Sequence, residues 1–179
     1  MKIYVTRHGQ TELNKRSLMQ GQVDEPLNEK GIAQAGEVAE TLREVKFDAV
    51  FSSPLKRAVK TASIMAGISE DEVIRDERIT EFDFGPYERK PYTRLGFRMT
   101  MFWLLPEVFK APKGVESIPC ARKRVESFFE ELESRDYHTV LLVCHGGIIR
   151  VICGLLEGRK NGIKWRPKPK NCEVREYIL

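Results

Sequence analysis

Cysteine is scarce. Cys120, Cys144, Cys153 and Cys172 are the only four in 179 residues, and no two stand at Cys-x-x-Cys spacing. That spacing excludes a zinc ribbon or a dithiol redox centre. Thiols spread this thinly read as reduced, which places the chain in a reducing compartment. Long apolar runs are also missing. No stretch is long enough for a signal peptide or a membrane span, so a cytoplasmic location and no membrane partner are expected. A strong charge of one sign is absent too, since 30 Lys+Arg face 26 Asp+Glu for a net +4. That excess suits an anionic ligand and is too small to imply nucleic acid. Linkers, low-complexity tracts and repeats are lacking, so residues 1–179 read as one domain around one core.

What is present alternates in type. Residues 2–6 are β-branched and aromatic, the pattern of a strand, and end in Arg7-His8-Gly9. A helix is expected over 28–45, with Asn28 as N-cap and Ile32, Ala35, Ala39 and Leu42 as its apolar stripe. A strand over 47–51 stops at Ser52-Ser53-Pro54, and a helix over 55–66 stops at Gly67. Val73 and Ile74 make a short third strand. Residues 95–109 form a short apolar helix, and Ser117 opens another with Val125, Phe128, Phe129 and Leu132 on one face. Residues 139–144 are nearly all apolar, as in a strand buried on both faces. Gly146-Gly147 leads into a helix to Leu156, and 173–179 close the chain as an edge strand. Alternation of this kind predicts an α/β fold: a three-layer α/β/α sandwich with a mostly parallel central sheet.

In such sheets ligands sit at the C-terminal strand ends. The first strand delivers Arg7 and His8, the second leads to Arg57, and the late strand delivers His145. Two of only three histidines thus stand at strand ends before glycine, while His138 precedes its strand and is expected to face solvent. Guanidinium groups bind phosphate oxygens bidentately. A neutral imidazole can attack phosphorus, and nearby positive charge keeps it unprotonated. Glycine after each histidine would let backbone N–H groups approach the anion.

Arg7-His8-Gly9-Gln10-Thr11-x-x-Asn14 resembles the signature of the histidine phosphatase superfamily, the phosphoglycerate mutase-like group. The resemblance continues through Gln20-Gly21, Asp24-x-Pro26-Leu27 and Gly31-x-x-Gln34-Ala35. It returns in Ser52-Ser53-Pro54-x-x-Arg57-Ala58-x-x-Thr61-Ala62 and Glu81-x-x-Phe84-Gly85. Gly114-x-Glu116-Ser117 and Val143-Cys144-His145-Gly146-Gly147 complete it, in family order. It implies a phosphomonoesterase acting on a small phosphorylated metabolite, with no metal and no cofactor. His8 resembles the nucleophile that becomes phosphorylated. Arg7, Arg57 and His145 resemble the phosphate-binding set, and Glu81 the general acid that later activates water. Asn14, Gln20, Gly21 and Gly146 resemble substrate-binding positions.

The chain departs from the family after Gly85, where Pro86-Tyr87-Glu88-Arg89 replaces a common Trp-Glu-Gly run. Asp83 and Glu88 are carboxylates that could take the place of Glu81. Residues 90–113 match no motif and are expected to form a small cap over the site. The apolar part of that segment could pack as a helix, line a substrate pocket, or both. The basic stretch 158–170 reads as a solvated loop near an anion-binding mouth. Cys144-x5-Arg150 fits the loop of cysteine-dependent phosphatases. Cys153-x5-Arg159 fits it equally, and Val143 stands where a histidine usually precedes that cysteine. A phosphoglycerate mutase-type phosphotransferase would keep the fold, but mutases of the family are longer. A non-catalytic binding module would have no need of a positioned acid. Oligomeric state is not legible.

Overall fold

The apolar run Thr139–Cys144 becomes the middle of a sheet, because both of its faces need cover. The computed structural model describes residues 1–106, 108–160 and 162–179. Its strands are β1 (Lys2–Arg7), β2 (Ala49–Ser52), β3 (Ile74–Arg75), β4 (Thr139–Cys144) and β5 (Val174–Ile178), in the order β3-β2-β4-β1-β5. β1, β2, β3 and β4 run parallel, and β5 pairs antiparallel with β1 at the edge. The helices are α1 (Glu12–Lys15), α2 (Glu29–Leu42), α3 (Lys56–Ala66), α4 (Gly96–Leu104), α5 (Ile118–Glu133) and α6 (Gly146–Leu156). The expected three-layer α/β/α sandwich is present.

Strand periodicity decides which residue meets which layer. Val140, Leu142 and Cys144 join Ile3 and Val5 in a core shared with α4, α5 and α6. Leu141 and Val143 join Tyr4 in a second core shared with α2 and α3. Leu142 has no solvent exposure. Leu142→Ala is expected to destabilise the fold by about 2–5 kcal/mol, the cost of a buried cavity, read as a lower urea midpoint with an unchanged slope.

Helix ends follow their capping residues. Asn28 accepts the Gly31 N–H and starts α2, Ser117 accepts the Cys120 N–H and starts α5, and Gly67 ends α3 in the left-handed region. α2 differs from the expected face. Gly31, Ala35, Val38 and Leu42 turn inward, while Ile32 is 46% exposed. The close approach of the loop after His8 selects Gly31. A Cβ there would strike the Gln10 carbonyl, and one at Gly9 would strike the Gly31 carbonyl. Backbone thus seats on backbone, and the helix is rotated to suit.

Residues 95–109 divide between the core, a cavity wall and the surface. Leu95, Met99 and Phe102 are buried in the core, and Trp103 faces the cavity described below. Glu107, within this segment, and Asn161, within the basic stretch, lie outside the described residues.

Candidate active site

Parallel pairing brings the ends of three strands level. Arg7 stands opposite Cys144, and Ser52 opposite Val143. One residue further on, the His8 N–H donates to the Cys144 carbonyl at 3.0 Å and the Ser53 N–H to the Val143 carbonyl at 3.1 Å. The next residue in each chain direction is therefore held in register. The His8 and His145 rings lie 5.1 Å apart between centroids.

His8 has a fixed tautomer. Its Nδ1 is 2.7 Å from the Gly9 carbonyl oxygen, which can only accept. Nδ1 therefore carries the hydrogen and Nε2 keeps its lone pair. The backbone around the ring is tied on three sides. Asn171 Nδ2 donates to the His8 carbonyl at 2.8 Å, and the Gly9 N–H donates to Thr61 Oγ1 at 3.0 Å. Thr61 in turn donates to the Arg57 carbonyl. Burial, followed by the Arg57 and Arg7 charges, holds His8 well below the usual histidine pKa. Positive charge alone was expected to do this, and burial is the larger cause. Burial, followed by Arg57, His8 and Arg7, depresses His145 as well.

Glu81 is seated by two backbone donors. Phe82 N–H reaches Oε1 at 3.0 Å and Gly147 N–H reaches Oε2 at 3.0 Å. Burial raises its pKa, opposed by these two hydrogen bonds and by Arg57 and Arg7. A Cβ at position 147 would collide with Glu81 Oε1 and with the Phe82 ring, so the second glycine of the His-Gly-Gly run makes room for the carboxylate. The other two carboxylates have different tasks. Glu88 accepts the Gly21 and Gln22 N–H groups and pins that loop, and Asp83 accepts the Gly85 N–H.

Arg7, His8, Asn14, Gln20, Glu81 and Gly146 line one cavity, as six of the expected site residues. Arg57, His145 and Gly21 do not form its wall. Arg57 is fully buried and donates to the Gly21 and Val23 carbonyls, and burial lowers its pKa to about 10. Asn14 and Thr11 both donate to Gln20 Oε1. Several buried polar atoms here have no partner. Among the described residues, all such side-chain atoms except Thr80 Oγ1 belong to Arg7, Gln20, Arg57, His145 and Arg150. Most are N–H donors, and leaving buried donors unmet costs ~1–3 kcal/mol each. They suit a small anion with several acceptor oxygens. No group of three His, Cys, Asp or Glu residues placed to hold a metal ion occurs among the described residues.

The family model for the histidine phosphatase superfamily (branch 1) matches residues 3–178. The chain belongs to that superfamily. This histidine phosphatase is 36% identical over 181 residues to a protein of Hydrogenobacter thermophilus provisionally named phosphoserine phosphatase 2, covering 99% of this chain and 89% of that one. It is 33% identical over 167 residues to phosphoserine phosphatase 1 of the same organism, covering 87% and 76%. Among solved structures, a variant of the Entamoeba histolytica phosphoserine phosphatase, in complex with phosphoserine, superposes with a TM-score of 0.84. It is 30% identical, with 99% of this chain and 90% of that one covered. The enzyme class is accordingly phosphoric monoester hydrolase.

The histidine phosphatase has site residues that its sequence did not announce. Tyr92, Trp103, Arg150 and Lys168 also line the cavity. Arg7 Nη1 donates to the Pro169 carbonyl at 3.0 Å, so the segment before β5 flanks the site together with Asn171. No motif marks these positions one by one: Tyr92 and Trp103 fall in the segment expected as a cap, Lys168 in the basic stretch expected near the mouth, and Arg150 drew notice only through a spacing that misleads. Its partner in that spacing, Cys144, is fully buried in the core and its thiol is pushed well above its usual pKa, chiefly by burial. Such a thiol is a poor nucleophile. The expectation for Gly9 also changes, because its N–H is taken by Thr61 and its lack of a Cβ serves packing against Gly31.

Proposed function

We propose that this histidine phosphatase hydrolyses the phosphomonoester of a small metabolite through a phosphohistidine on His8. The observation that carries the reading is the imidazole itself, neutral, with Nδ1 committed to Gly9 and Nε2 free in a cavity walled by Arg7 and Glu81. In the first step Nε2 bonds to phosphorus as the ester P–O bond breaks, and Glu81 gives its proton to the leaving oxygen. In the second, water attacks phosphorus, Glu81 takes its proton, and the P–N bond breaks to release phosphate. Arg7, Arg57 and His145 stabilise charge on the transferring group, the dominant contribution in phosphoryl transfer. Asn14, Gln20, Gly21 and Gly146 complete the substrate-binding set, either on the wall or by shaping it.

The chain acts as one domain over 1–179, with 90–113 as the cap, a reading supported by Tyr92 and Trp103 on the cavity wall. The partner is a small phosphomonoester rather than nucleic acid, in keeping with a net charge of +4. A cytoplasmic place fits the scattered free thiols, and no helix among the described residues is long and apolar enough to cross a membrane.

The test is phosphate release from a panel of phosphomonoesters, run with and without EDTA. Release from at least one small ester, unchanged by the chelator, is the expected result, because guanidinium groups supply the positive charge. Loss with EDTA and recovery with Mg²⁺ would overturn the metal-free route. A further arm uses 3-phosphoglycerate with a bisphosphoglycerate primer. Phosphate should form faster than 2-phosphoglycerate, and the reverse order would make the protein a mutase.

A further inference from the structure

One strongly basic group in the cavity has no task in the steps above. Arg150 lies on α6, four residues after Gly146, about 6 Å further along the axis at 1.5 Å per residue. It is 5% exposed, yet its Nε and Nη1 have no hydrogen-bond partner, and among the described residues no carboxylate forms an ion pair with it. Both atoms are N–H donors, left open to the acceptor oxygens of an anion. The group is held in place by tryptophan. It sits 4.0 Å from the Trp165 ring centroid and 5.5 Å from that of Trp103. Trp165 Nε1 donates to the Trp103 carbonyl at 2.8 Å, which locks the two walls together. Lys168 stands at the rim, 5.6 Å from the Tyr92 ring centroid.

Position separates this cation from the phosphoryl site. Trp103, Arg150 and Lys168 line the His8 cavity and also an adjoining cleft, together with Trp165 and Arg166. Arg7 and His8 line only the first. Arg150 therefore stands where the phosphoryl cavity opens into the cleft, faced by tryptophan rings and with no carboxylate among the described residues paired to it. Burial of an uncompensated guanidinium is costly. A ligand anion reaching from the phosphoryl position would offset that cost. An apolar or neutral leaving group would leave it unmet.

Resting on the phosphatase reading, we propose that Arg150, assisted by Lys168, binds a second anionic group of the substrate. The preferred substrates are small phosphomonoesters that carry a carboxylate, or a further phosphate, a few bonds from the scissile ester.

The experiment compares matched pairs of esters. O-phosphoserine and O-phosphoethanolamine differ by one carboxylate, and fructose 1,6-bisphosphate and fructose 6-phosphate by one phosphate. The wild type should favour the doubly anionic member of at least one pair by about 10–100-fold in kcat/KM, the range of a hydrogen bond to a charged group. The pair that discriminates names the anion. Arg150→Met should bring that ratio close to one, mainly through KM of the doubly anionic ester, and Arg150→Lys should keep part of it. A ratio cancels any loss shared by both esters, so a merely structural role would leave it unmoved. Lys168→Met at the rim should lower the ratio several-fold, and it decides the matter if Arg150→Met does not fold. Ratios near one for both pairs in the wild type, or a preference that survives these substitutions, would overturn the proposal. Absence of phosphate release from every ester, 4-nitrophenyl phosphate included, would instead defeat the phosphatase reading beneath it.

Discussion

His8→Ala is expected to abolish phosphate release, by at least ~10⁴-fold, because the proposed covalent nucleophile is removed and only the binding groups remain. The loss should appear in kcat with every ester, because no substrate avoids the P–N bond. Cys144→Ser should keep most of the activity, since that thiol lies in the core and not on the cavity wall. Rapid quenching of the wild type under alkaline conditions should trap a phosphoenzyme that is stable in alkali and labile in acid, the behaviour of an N-phosphate. Retained turnover in His8→Ala together with its loss in Cys144→Ser would exchange the nucleophile. The alanine is not expected to unfold the protein. His8 contributes one ring hydrogen bond, to its own neighbour, and its backbone ties to Cys144 and Asn171 stay in place.

Glu81→Gln separates substrates by leaving group. An alkyl alkoxide must gain a proton as the P–O bond breaks, and that assistance contributes ~10²–10⁴-fold. Nitrophenolate departs without it. The variant should therefore slow an alkyl phosphate by about that factor and 4-nitrophenyl phosphate far less, when phosphorylation is followed in single turnover. Steady-state rates mix in the second step, where the same carboxylate activates water. With the nitrophenyl ester the variant should show a burst of nitrophenol and then slow turnover. Glutamine is nearly isosteric, but its amide nitrogen cannot accept the N–H of Phe82 or Gly147 as a carboxylate oxygen does. A melting curve should accompany the kinetics, to show how much of any uniform loss comes from a shifted loop. Equal slowing of both esters in the first step, with the fold intact, would pass the acid role to another group. Asp83 and Glu88 are poor heirs, since Glu81 lines the cavity and neither of them does.

The central elements were legible because local chemistry and global packing agree there. Residues 139–144 have one face for each core and carry apolar side chains on both, so strand and burial read directly. Asn28, Ser117 and Gly67 mark helix ends through interactions within a few residues of themselves. Where a remote partner intervenes the reading fails. Ile32 fits an apolar stripe by spacing, but contact between Gly31 and the Gln10 backbone sets the helix rotation and leaves it exposed. The short helix α1, capped by Thr11, has no apolar period long enough to detect.

The sequence by itself determined the chemistry: an imidazole and guanidinium groups at strand ends, in a motif order that names the superfamily. Short-range patterns suffice for that, because Arg7, His8 and His145 ride on strand termini whose register the sheet imposes. Tertiary structure alone decided which groups share the cavity. It set the His8 tautomer through Gly9, gave Glu81 its two backbone donors, and removed Cys144 into the core. It also brought Tyr92, Trp103, Arg150 and Lys168, from three separate segments, to one wall. These contacts join residues far apart in the chain, and their geometry depends on how whole layers pack, which no local spacing encodes.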